Sequence, residues 1–164
     1  PLYSSAASDV YKRQDQAGGR GILSTHLHAD GRHGDILSVD GGAGSNGGTG
    51  VVRMTGREVF RHAVAKLSSA VDEALAANNL VQGDIAWLVP HQANLRIIEA
   101  MGRKLDLPLE RVVVTVDRHA NTSAASIPLA LAEATRDGRI RRDELVLMEA
   151  IGGGLTWGAA LARF

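Results

Sequence analysis

A chain of 164 residues that is 45% hydrophobic and 22% charged holds enough apolar material for one compact domain with a core, which excludes disorder for most of its length. Eighteen Lys and Arg balance eighteen Asp and Glu, so the chain lacks the basic field that binding to nucleic-acid phosphates requires, and no apolar run approaches the roughly 18 residues of a membrane span. With no cysteine, a disulfide framework, a thiolate metal site and a thiol nucleophile on this chain are excluded together.

Residues 1–14 (PLYSSAASDVYKRQ) show no apolar period and no signal-peptide layout. They have the character of translated read-through at the edge of a reading frame, which predicts a lead segment at 1–16 outside the fold, a domain over 17–164, and a chain truncated at its N-terminus. From Gly21 to His28 the pattern suggests a strand, with Asp35–Val39 as its partner across the Asp30-Gly31 turn, a hairpin. Asp40–Gly50 is a flexible glycine loop. It contains a formal dinucleotide fingerprint, but it runs into Val51-Val52 and not into a helix N-terminus, so the match is set aside. Apolar residues from Val59 to Leu75 recur at three-and-four spacing, predicting one long amphipathic helix between Gly56 and Asn79. A buried strand at Asp84–Val89, a helix over Asn94–Lys104 and a strand at Val112–Val116 follow. Alternation of this kind points to a parallel sheet with crossovers. Ala124–Arg136 reads as a third helix with Ser123 as N-cap, and Leu145–Ala150 and Leu155–Phe164 as strands joined by Gly152-Gly153-Gly154. The class is α/β.

Three loops leave strand ends: Pro90–Asn94, Asp117–Ser123 and Gly152–Gly154. In parallel α/β sheets the carboxyl ends of strands share one edge, where ligands bind. A neutral His offers one N–H, an Asn carboxamide two, and a glycine run lets backbone N–H groups approach a ligand closely. Together they describe a site that stabilises an enolate or a tetrahedral oxyanion. Each also has a plainer reading: His91 bonding its own loop, Asn121 capping a helix, the glycines making only a turn. No nucleophile accompanies them.

The segments VPHQANLRI (89–97), VTVDRHANTSAASIPLAL (114–131) and EAIGGGLTWGAALARF (149–164) resemble the C-terminal half of β-ketoacyl-acyl-carrier-protein synthase III, and the resemblance extends back through STHLHADG (24–31). It implies a thiolase-like fold, the C-terminal half of an αβαβα layered architecture with a mixed sheet and crossover helices. It implies an acyltransferase that starts fatty-acid synthesis: a Cys takes an acyl group from acyl-CoA, and decarboxylative Claisen condensation with malonyl-acyl-carrier protein gives a 3-ketoacyl product. By that resemblance His91 and Asn121 bond the malonyl thioester oxygen, and the Gly153 amide contributes to the oxyanion hole. The nucleophile belongs to the N-terminal half, which this chain lacks, so the chain alone is expected to be inactive. Ile151 stands where many relatives carry Phe, at the acyl pocket. Gly56, Phe60 and Asn94 match the pantetheine tunnel, although Phe60 reads first as core and Gly56 as a cap or close-approach site.

Arg53, Arg57 and Arg61 are spaced by four, so where helical they line one face, and Arg96 with Arg103 forms a second stripe. Acyl carrier proteins are acidic, and the resemblance makes Gln92, Ala93, Asn94, Leu95 and Arg96, with Arg61, a carrier-docking surface. His26, His28 and His33 invite a metal reading, which is rejected because no Cys or placed carboxylate completes a set. No cofactor is implied; acyl-CoA and malonyl-carrier protein are substrates. The intact form is expected to be a cytoplasmic homodimer without nucleic-acid or membrane partners. Alternatives are another thiolase-fold synthase, such as a polyketide starter or 3-hydroxy-3-methylglutaryl-CoA synthase type, or a silent module that binds acyl-CoA or carrier protein or assembles with another subunit. The frame upstream of Gly21 discriminates: a Cys-bearing half favours the enzyme, a start codon near Asp15 the binding module.

Overall fold

The structure, a computed structural model, describes residues 19–42 and 47–164. The expected lead segment 1–16 and the centre of the glycine loop, 43–46, lie outside the described residues. A four-stranded sheet has the order β1 (Gly21–Ala29), β6 (Thr156–Arg163), β5 (Leu145–Gly152), β4 (Trp87–Pro90). β4 and β5 are parallel, whereas β6 runs antiparallel to both its neighbours. The sheet is therefore mixed and not parallel throughout. On one face lie α1 (Gly56–Ala77) and α2 (Leu95–Lys104), whose Ala63, Leu67, Val71, Ile98 and Met101 pack on Leu88, Leu147 and Leu161. On the other lies α4 (Ser126–Arg136), with Ala130 and Ala134 against Val89, Val113 and Val146. Covering on both faces explains why the central strands read as unbroken apolar runs. Asn94 caps α2 by accepting the Ile97 N–H at 3.0 Å, and α1 follows the three-and-four apolar stripe.

The expected hairpin of Gly21–His28 with Asp35–Val39 does not form. β1 pairs with β6 in register from Gly21 opposite Arg163 to Ala29 opposite Thr156, and Asp30 and Leu155 extend that ladder with a reciprocal pair of backbone bonds at 2.8 and 3.1 Å. Asp30 Oδ1 also accepts the Arg32 N–H, starting 3₁₀ turns over Gly31–Ile36. A long partner from the far end of the chain outcompetes the local one. Asp35–Val39 instead contributes β2 (Leu37–Val39), paired with β3 (Val52–Met54) in a separate two-stranded ribbon. Arg53 thus lies in a strand, bonded to Asp40, and only Arg57 and Arg61 of that stripe are helical.

Two further expectations are corrected. Val112–Val116 is not a strand: a single parallel bridge joins Val112 to Leu88, and the backbone then turns into α3 (Val116–His119). Ser123 is not the cap of α4. It lies in a 3₁₀ turn, Ser123–Ala125, and makes no side-chain cap bond; its N–H is taken by Asn121 Oδ1 at 2.9 Å.

Candidate active site

The loop after β4 and the turn after β5 leave the same sheet edge on adjacent strands. Pro90 lies opposite Glu149, and the His91 N–H donates to the Glu149 carbonyl at 2.7 Å; three residues beyond Glu149, β5 ends at Gly152. The third segment is drawn to this edge by Gln92. Its carboxamide is fully buried: Nε2 donates to the Pro90 and Val113 carbonyls at 2.8 and 3.0 Å, and Oε1 accepts the N–H groups of Thr115 and Val116 at 2.8 and 3.0 Å. The Val113 N–H still donates to the Leu88 carbonyl of β4 at 2.8 Å, but the Val113 carbonyl and the Thr115 and Val116 N–H groups are satisfied by a side chain in place of a strand partner, the physical reason that the pairing stops there and Val112–Val116 is not a strand. Gln92 is corrected from carrier contact to internal clip, because its side chain reaches no surface.

From α3 the chain passes through Ala120, at φ +55°, to the exposed Asn121 and on to Ser126. Arg118 pairs with Glu133 of α4 and holds this excursion down. Ser126, first residue of α4, closes it onto the β4 loop: its Oγ lies 2.6 Å from His91 Nδ1 and accepts the Gln92 N–H at 3.3 Å. Sequence reasoning missed Ser126, which reads there as one small helix residue among several.

Three donors at this edge have no acceptor among the described residues: the Asn121 Nδ2 amide, whose Oδ1 is the atom engaged; the Gly153 N–H; and His91 Nε2. Gly153 is held against β2, where an added Cβ would meet the Leu37 carbonyl oxygen at 3.0 Å, and Gly154 adopts φ +135°, a conformation that favours glycine. Burial pushes the His91 ring below the ordinary histidine value, so it is neutral at pH 7. Neutral and charge-free donors of this kind suit an oxygen that becomes negative during reaction.

The remaining expected residues gather at the N-termini of α1 and α2. Val59 of α1 packs with Ile36 and Leu155 beside the β5–β6 turn, and Ile151 is partly buried between this cluster and the main core. The Arg96 guanidinium lies 5.5 Å from the centroid of the partly buried Phe60 ring; Arg61, Asn94 and Leu95 are exposed nearby on the same helix ends, whereas Ala93 packs against the core. Gly56 opens α1 with nothing within 4 Å of an added Cβ, so no close approach within this chain calls for glycine there. The three histidines do not converge: His26 and His28 reach Glu73 of α1 at 3.1 and 2.7 Å, while the His33 ring lies against His62 at a tilt of 41°, their centroids 4.1 Å apart. Among the described residues, no helix is long and apolar enough to cross a membrane.

A family model described as 3-oxoacyl-[acyl-carrier-protein (ACP)] synthase III C terminal matches residues 75–164. The β-ketoacyl-[acyl-carrier-protein] synthase III of Acidiphilium cryptum is 71% identical over 145 residues, 88% of this chain and 45% of that protein. The crystal structure of the 3-oxoacyl-[acyl-carrier-protein] synthase III of Aquifex aeolicus superposes with a TM-score of 0.85 at 40% identity, over 92% of this chain and 47% of that one. The Thermus thermophilus β-ketoacyl-[acyl carrier protein] synthase III gives 0.82 at 47% identity, covering 90% and 47%. The chain spans about half the length of the curated relatives it matches.

Proposed function

The chain belongs to the 3-oxoacyl-[acyl-carrier-protein] synthase III C-terminal family, and from that premise we propose that it supplies the enolate-stabilising half of a β-ketoacyl-acyl-carrier-protein synthase III. In this reading residues 17–164 form the functional domain. His91 Nε2 and Asn121 Nδ2 donate to the thioester oxygen of malonyl-carrier protein. As carbon dioxide departs, the electron pair of the broken C–C bond is held as an enolate on that oxygen. The enolate carbon then attacks an acyl thioester carried by a cysteine on the complementary half, the Gly153 amide receives the tetrahedral oxyanion, and its collapse breaks the C–S bond and releases the cysteine thiolate, leaving the 3-ketoacyl group on the carrier. A single observation carries the proposal: three uncharged donors without acceptors among the described residues lie on two loops that leave one sheet edge and on the segment that Gln92 and Ser126 hold against it.

Acyl-CoA enters along the corner of Gly56, Phe60 and Asn94, Ile151 shapes the acyl pocket, and Arg61 and Arg96, with the exposed Asn94 and Leu95 beside them, face the acidic carrier. The complete enzyme is a cytoplasmic homodimer that uses acyl-CoA and malonyl-carrier protein as substrates and needs no bound cofactor. The chain, having no cysteine, condenses nothing alone. The test joins it to the complementary half of the Acidiphilium cryptum relative. The fusion should form 3-ketoacyl-carrier protein from acyl-CoA and malonyl-carrier protein, and Asn121→Ala within it should lower kcat by about 10²–10³-fold, the size expected for one oxyanion donor. A folded fusion without condensing activity, or one indifferent to Asn121→Ala, would refute the assignment.

A further inference from the structure

We propose that Ser126 is a positioning residue that holds His91 in its Nε2–H tautomer, so that the ring offers the substrate oxygen a hydrogen and not a lone pair. This rests on the reading of His91 as a thioester-oxygen donor and adds the residue that makes it one.

Counting donors fixes the arrangement. A serine hydroxyl has one hydrogen to give and lone pairs to receive. Ser126 is 2% exposed, and its oxygen has two partners among the described residues, the Gln92 N–H at 3.3 Å and His91 Nδ1 at 2.6 Å. A backbone amide can only donate, so it occupies a lone pair. Were Nδ1 protonated as well, the hydroxyl would accept twice and its own hydrogen would sit in the interior with nothing to bond, which buried polar groups avoid. All three groups are satisfied together when the hydroxyl donates to a bare Nδ1. A neutral imidazole then carries its proton on Nε2, and partial burial keeps the ring neutral.

The hydroxyl is itself fixed. Ser126 begins α4, and Ala130, one turn on, is fully buried against the sheet. The Gln92 amide belongs to the residue whose side chain clips β4 to residues 113–116. The packing of α4 and the clip therefore bring the serine to the ring from two sides. Ser126 acts through His91, and its signature is the position of a proton.

The experiment is ¹⁵N NMR of the chain labelled at its six histidines, at a pH where the His91 ring is neutral, with His91→Gln identifying the resonances. In the unsubstituted chain Nδ1 should resonate as an unprotonated nitrogen and Nε2 as a protonated one. Ser126→Ala should move the two shifts toward each other as the tautomers mix, and Ser126→Thr, which keeps the hydroxyl, should restore their separation. A ring protonated at Nδ1 in the unsubstituted chain overturns the proposal, as does a Ser126→Ala ring whose shifts are unchanged. Should Ser126→Ala fail to fold, the tautomer of the unsubstituted chain decides alone. No ligand is present in this measurement, so an inactive fusion would sink the condensing role without touching the tautomer, and a wrong tautomer would sink the role of Ser126 without touching the fusion.

Discussion

Glu149 lies on the β5 face that also carries Leu147 and Ile151, beneath the helical layer of α1 and α2. Both its carboxyl oxygens are buried and have no partner among the described residues, and burial pushes the group up to about 8 from an ordinary value of 4.5. Between those two values the folded chain keeps a proton that the unfolded chain releases, so this residue makes stability fall as pH rises from about 4.5 and level off above about 8. Glu149→Gln keeps the shape and is neutral in both states. Urea unfolding at pH 5 and pH 8 should show the slope flattened, with a gain at pH 7 of at most about 3 kcal/mol. A slope that survives the substitution would assign it to other groups. Asp30 is not among them: Arg32 holds its carboxyl well below the usual range, so it titrates far more acid than this window.

At the scale of elements, the Gln92 carboxamide joins β4 to the segment that leads into α3, and it does so with four bonds to backbone groups. Gln92→Ala would leave Thr115 and Val116 N–H groups and the Val113 carbonyl without partners, a loss of about 2–4 kcal/mol in chemical denaturation. Gln92→Glu tests the same contact differently, because it sets a carboxylate oxygen against two carbonyls where Nε2 now donates; it should destabilise as much or more, and a neutral outcome would refute the clip. This contact also marks where legibility ended. The stripe of α1 and the β5–β6 turn were readable because their signals are local: apolar spacing in one, three consecutive glycines between apolar runs in the other. Residues 112–116 were misread because Val-Val-Val-Thr-Val has every strand propensity, and nothing local discloses that three of its backbone bonds go to a side chain some twenty residues earlier. The partner of β1 was missed for a related reason, since a turn signal at Asp30-Gly31 is visible in sequence and a register with residues 156–163 is not. The candidate site divides in the same way. Its three donors could be named from loop composition at strand ends, whereas Ser126, which orients one of them, became visible only when the packing of α4 put its hydroxyl beside His91.

For the molecule as a whole, part of the exposed apolar surface is scattered, at Leu27, Val81, Leu95 and Leu109, and part is gathered on two elements. Val39, Val52 and Met54 are 57%, 65% and 63% exposed on the β2–β3 ribbon, which has no third strand to shelter it among the described residues. On α4, the side away from the sheet presents Pro128, Leu129 and Ala132, all exposed, with Leu129 at 40%. Relatives twice as long carry further chain, and in this chain both surfaces meet water. Contiguous apolar area of this kind favours association over isolation, and with equal numbers of acidic and basic residues little net repulsion opposes it. Sedimentation velocity across a tenfold range of concentration should show reversible or progressive self-association. Placing charges at the centre of each surface, Met54→Lys together with Leu129→Lys, should shift the distribution toward monomer without altering the unfolding free energy by more than about 0.5 kcal/mol, because both side chains lie outside the core. A monomer at every concentration in the unsubstituted chain would mean that the ribbon and α4 are tolerated in water as they stand, and that their apolar residues do not drive assembly.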